Sequence, residues 1–94
     1  MSEKKVRKHV YISGRVQGVG FRASTRNKAQ QLQVKGWVKN LFDGRVETVF
    51  EGDIDDVNKM IKYVKKGPSF ARVENTEVHD EEYKGEFSNF TIKR

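Results

Sequence analysis

The spacing of apolar residues changes period along this chain, and the order of the changes leaves few folds open. Val6, Val10 and Ile12 alternate with Arg7, His9, Tyr11 and Ser13, a period of two that predicts a strand with one buried face, ending at Gly14. From Phe21 the period lengthens. Phe21, Thr25, Ala29 and Leu32 form one stripe of a helix over 21–33. Two alternating runs follow, V-K-G-W-V-K-N at 34–40 and G-R-V-E-T-V-F-E at 44–51, and the Asp43-Gly44 pair between them predicts a hairpin.

A second helix places Ile54, Val57, Met60, Ile61 and Val64 on one face. Asp53, Asp55 and Asp56 at its start and Lys62, Lys65 and Lys66 at its end suit the helix dipole, and Gly67-Pro68 stops it. Residues 72–79 read as a strand with imperfect, bulge-like alternation, and 87–93 as a short final one. The order β-α-β-β-α-β plus a last strand predicts an α+β, ferredoxin-like split β-α-β sandwich: an antiparallel sheet with two helices on one face. Because that scaffold serves many functions, the activity has to be read from a site.

With 94 residues the chain holds material for one core, so 1–94 is expected to be a single domain with a frayed basic terminus at about 1–5. The absence of cysteine removes thiolate nucleophiles, Cys-ligated metals and a disulfide framework, which fits a reducing cytoplasm. No run is long and apolar enough for a signal segment or a membrane span. A formal charge of +6 favours anionic partners without choosing among them.

The choice rests on S-G-R-V-Q-G-V-G-F-R-A, residues 13–23, where Gly14, Gly18 and Gly20 stand between strand and helix. A loop running into a helix start gathers backbone N–H groups that have no intrahelical partner; glycines let them curl into a concave nest that an anion can approach closely. Arg22 adds a planar donor fork matched to phosphate oxygens. Gly18, Gly20 and Ala23 match a dinucleotide fingerprint only superficially, since Asn40 stands where an acidic residue is required. No Gly-Lys-Ser/Thr follows for an ATP-type loop. The loop suits one phosphate-sized anion.

G-R-V-Q-G-V-G-F-R at 14–22 and G-W-V-K-N-L-F-D-G-R-V-E at 36–47 resemble the paired signature motifs of the acylphosphatase family. K-G-P-S-F-A-R-V at 66–73 and F-S-N-F-T-I-K-R at 87–94 resemble the family's loop after the second helix and its last strand, so the likeness covers nearly the whole chain. The resemblance implies hydrolysis of the carboxyl–phosphate anhydride of acyl phosphates. It implies a phosphate cradle from the backbone of Arg15, Val16, Gln17, Gly18, Val19, Gly20 and Phe21, with Arg22 binding the phosphate and Asn40 positioning the attacking water. In one departure, Phe42 stands in the turn where many members carry proline.

So sparse a site is chemically sufficient, because a carboxylate is a good leaving group and the transition state spreads charge over phosphoryl oxygens. No metal or cofactor is expected, and His9 and His79, on different strands without ligand spacing, read as structural or surface residues. The expected partner is a small acyl phosphate, with inorganic phosphate or sulfate as competitors, no nucleic acid, no membrane, and a monomeric chain. An RNA-binding module is the rival from another class, since V-Y-I-S-G-R at 10–15 would offer Tyr11 as a stacking platform. Glu47 and Glu51, expected on the same open face as Arg45 and Val49, oppose it. A non-catalytic anion-binding regulatory domain is the other alternative. Val49, Tyr11 and Trp37 are expected to pack on the open face or at an edge.

Overall fold

The computed structural model describes residues 4–94 in the order β1 (Lys5–Arg15), α1 (Phe21–Gln31), β2 (Lys35–Asn40), β3 (Val46–Asp53), α2 (Ile54–Lys66), β4 (Arg72–Glu81) and β5 (Phe90–Ile92). Residues 1–3 of the expected frayed terminus lie outside the described residues; Lys5 is already strand, and the Lys4 carbonyl accepts from the Ile54 N–H at 3.0 Å.

The strands form one sheet in the order β4-β1-β3-β2-β5. The expected all-antiparallel sheet is corrected to a mixed one, because β5 runs parallel to β2, with Gly36 opposite Phe90 and Val38 opposite Ile92. The cause is topological. After β4 the chain crosses to the far edge and returns, and the edge strand it meets there, β2, runs the same way as the returning segment. The last strand is also shorter than 87–93, and β4 extends past His79 to Glu81.

Alternation sorts the two faces. Val10, Ile12, Val38, Val46, Phe50 and Phe90 meet Phe21 and Ala29 of α1 and Val57, Met60 and Val64 of α2 in the core, all at most 2 % exposed. Helix α2 starts on an Asp53 side chain that accepts from the Asp55 N–H at 3.1 Å and ends at Gly67 with φ 75°.

The opposite face is closed by side chains rather than by helices. His9 stacks on Tyr11, Trp37 meets His9 edge-on, and Val49 is fully buried in that layer. Arg45 covers the Tyr11 ring, while Lys39 and Lys93 lie over Trp37. Glu51, 2 % exposed, accepts from Arg7 and from the backbone N–H groups of Lys84 and Glu86, so the β4–β5 crossover is tied to the middle of the sheet. Burial disfavours the Arg7 charge, but bonds to Glu81, Glu86 and Glu51 outweigh it and hold its pKa above the ordinary value. His9 lies between Glu47 at 2.6 Å and Glu81 at 2.7 Å, and His79 beside Glu77 at 3.3 Å.

Candidate active site

Three connections gather at one end of the sheet: β1–α1, β2–β3 and α2–β4. The β1–α1 loop is anchored at both ends by core side chains, Val16 at 1 % and Phe21 at 2 % exposure. Between them Gly18 and Gly20 take φ of 74° and 76°, the left-handed region that other residues enter only with strain. A Cβ at either would meet nothing within 4 Å, so glycine is required for backbone direction rather than for room.

Gly14 belongs elsewhere. It lies within β1, where Ser13 pairs with Asn75 and Gly14 with Val73, leaving Glu74 as the extra residue of a bulge in β4. A Cβ there would stand 2.2 Å from the Arg72 carbonyl oxygen, which makes this glycine a strand-crossing residue and leaves two in the loop.

Helix α1 starts at Gly20 with no side-chain cap and no acidic residue in its first turn. Its first N–H groups therefore face the space ahead of the helix without competition from a carboxylate. That space is a cleft of about 680 Å³ lined by Val16, Gly18, Gly20, Phe21, Arg22 and Ala23, by Asn40 from the end of β2, and by Ile92 and Arg94 from the last strand and the residues after it.

Of the residues singled out from the sequence, the structure brings Val16, Gly18, Gly20, Phe21, Arg22 and Asn40 together in one cleft. Arg15, Gln17 and Val19 do not line it. Arg15 is exposed opposite Arg72, Val19 is half-buried against the core, and the Gln17 side chain reaches the β2–β3 turn. Besides Ala23, which simply follows Arg22, Ile92 and Arg94 are the lining residues that sequence reasoning missed. Their only signal was the C-terminal strand itself, which carries no mark of the partner it pairs with.

Two features give the cleft its chemistry. The Arg22 and Arg94 side chains make no hydrogen bond or ion pair among the described residues, so two guanidinium groups without a carboxylate partner line one space. Asn40 Oδ1 is buried with no hydrogen-bond partner among the described residues. A buried acceptor left so costs about 1–3 kcal/mol, and a catalytic role or a bound water is among the reasons such a group persists. No helix among the described residues is long and apolar enough to cross a membrane, and none of their His, Asp or Glu side chains form a group of three placed to share a metal ion.

The β2–β3 turn closes without proline. The Leu41 N–H donates to Arg45 at 2.8 Å, the Gly44 N–H donates to Leu41 at 3.2 Å, and Asp43 accepts from the Arg45 backbone and guanidinium. Phe42 projects wholly into solvent and does not line the cleft.

Residues 8–92 match the family model described as Acylphosphatase. A protein named Acylphosphatase from Chloroflexus aurantiacus is 61% identical over 87 residues, covering 93% of this chain and 95% of its own. Among solved structures, an acylphosphatase from Coxiella burnetii superposes with a TM-score of 0.90 at 38% identity over 99% of this chain and 100% of its own. One from Bacillus subtilis gives 0.91 at 34% identity over 95% and 99%. With a family match over residues 8–92 and relatives of that name matched over nearly their full length, the chain belongs to the acylphosphatase family.

Proposed function

We propose that the chain hydrolyses the carboxyl–phosphate anhydride of small acyl phosphates at this cleft. The observation that carries the reading is the convergence of Arg22 and Asn40, 18 residues apart in sequence, on the space before an uncapped helix start. The phosphoryl group sits in the loop from Arg15 to Gly20 with Phe21, its oxygens accepting from backbone N–H groups and from the Arg22 guanidinium. These donors are in place before substrate arrives, so charge gathering on the phosphoryl oxygens in the transition state meets oriented dipoles with no reorganisation.

Asn40 orients one water in line with the anhydride, its Oδ1 accepting a water hydrogen. The water oxygen forms the new bond to phosphorus, the bond from phosphorus to the acyl oxygen breaks, and the carboxylate leaves with that electron pair. The water proton passes to a phosphoryl oxygen. Products are a carboxylate and inorganic phosphate, and positioning supplies most of the acceleration.

The same reading takes 1–94 as a single monomeric domain working in the cytoplasm, with phosphate or sulfate competing for the loop and no nucleic-acid partner. The occupied aromatic rings of the open face support the last point, because Tyr11 and Trp37 already have cations of the chain over them. The test is release of phosphate from acetyl phosphate without added metal. Arg22→Ala and Asn40→Ala are expected to lose at least a hundredfold in kcat/KM; a wild type no faster than either variant would sink the proposal.

A further inference from the structure

Gln17 stands in the middle of the loop, yet its side chain turns away from the cleft. Its Nε2 donates to two backbone carbonyls of the β2–β3 turn, Leu41 at 2.8 Å and Arg45 at 2.9 Å, in a half-buried setting. Leu41 is the residue after Asn40, and the Leu41 N–H in turn donates to Arg45, so both acceptors belong to the pair of residues that closes the turn. Both hydrogens of one amide therefore hold the loop and the turn at a fixed separation.

From this bridge we infer that Gln17 is a positioning residue: it sets where the Asn40 amide stands relative to the anion held by the loop. The inference rests on the proposed hydrolysis for its kinetic consequence, and on the two hydrogen bonds for its geometry. A misplacement of about 1 Å between nucleophile and phosphorus costs on the order of a hundredfold in rate. The β1–β3 and β2–β3 ladders end at Val46, opposite Ile12 and Asn40, so beyond that point the turn is tied to β1 and its loop by the Arg45 guanidinium over Tyr11 and by the two Gln17 bonds, and only the Gln17 bonds act on the backbone next to Asn40. Binding of the phosphoryl group itself uses backbone N–H groups and Arg22, so Gln17 acts on turnover and not on anion affinity.

The experiment is a kinetic cycle with Gln17→Leu, Asn40→Ala and the double variant on acetyl phosphate, with inorganic phosphate as inhibitor. Gln17→Leu is expected to lower kcat at least tenfold, to leave the phosphate inhibition constant within about twofold, and to make the Asn40→Ala enzyme no slower. Hydrogen exchange read by NMR is expected to show the Leu41 and Gly44 amides losing protection at least tenfold. Gln17→Met replaces Gln17→Leu should leucine prevent folding. The inference is overturned by any of three results: kcat within twofold of wild type, losses that multiply in the double variant, or a phosphate constant that rises in step with the fall in kcat. If the wild type proves inactive, the functional reading fails and exchange decides the bridge alone, unchanged protection refuting it.

Discussion

Arg94 continues the path of β5 beside Asn40: Ile92 is the partner of Val38 in the parallel ladder, the Lys93 N–H extends that ladder to the Val38 carbonyl at 2.9 Å, and Asn40 and Arg94 each lie two residues further on. Both line the cleft. Backbone pairing thus brings Arg94 to the cleft, although nothing around residue 94 in the sequence announces it.

Phosphate should stabilise the folded chain by linkage, by about 2.7 kcal/mol at a hundred times its dissociation constant. Arg22→Ala is expected to lose most of this gain and Arg94→Ala a smaller part, read as the shift in Tm on adding phosphate or sulfate. Equal gains in wild type and Arg22→Ala would place the anion elsewhere.

The glycines separate by cause. Gly14→Ala puts a Cβ 2.2 Å from a backbone oxygen and is expected to cost about 3 kcal/mol or more. Gly18→Ala has open space and meets only the penalty of positive φ, about 1–2 kcal/mol, with a disproportionate loss of activity from the altered loop. Urea unfolding with parallel rate measurements checks both, and similar stability losses at the two sites would contradict the assignment.

Glu51→Ala leaves the Arg7 guanidinium, 10% exposed at its side chain, without one of its three carboxylates and frees the Lys84 and Glu86 amides. The expected loss is about 3 kcal/mol, with faster proteolysis within 82–89 and hydrolysis nearly unchanged well below the Tm. Proteolysis at the wild-type rate would show that the crossover is held by other contacts.

Acid stability has an identified contributor. Bonds from Arg7 and then His9 hold the Glu81 carboxyl below its ordinary range, against a smaller opposing effect of burial. A depressed folded pKa gives stability that is present above the unfolded value, about 4.5, and is lost as pH falls through the folded value. Glu81→Gln is therefore expected to lower the urea midpoint slightly at pH 7 and to flatten its fall below about pH 4.5. The effect stays small because Glu81 is 35% exposed and water screens the pair. A variant with the wild-type slope would assign acid sensitivity to other carboxylates.

Gly18, Gly20 and Arg22 were legible in the sequence because the loop and the helix start are contiguous, and a local run of residues determines local backbone direction; Asn40, at the end of β2, stood out only through the resemblance of 36–47 to a family motif. Gly14 was legible as a glycine but not by its purpose, since its neighbour at 2.2 Å comes from β4, nearly 60 residues away. Alternation in 87–93 announced a strand, but alternation carries no information on which edge it joins or in which direction. The parallel pairing with β2, and with it Ile92 and Arg94 in the cleft, follows from the arrangement of the other four strands. The Gln17 bridge was hidden for a related reason: a side-chain amide aimed at backbone carbonyls leaves no pattern at the accepting end.

The cleft draws on residues between Val16 and Ala23, on Asn40 and on Ile92 and Arg94, so its walls come from distant parts of the chain and one of them depends on the β2–β5 pairing at the far edge of the sheet. Such non-local pairings are the slow part of folding, because loop closure precedes any gain from contact. Turnover is thus a late reporter during refolding: helical signal should return first, and catalysis only once the far edge of the sheet has closed.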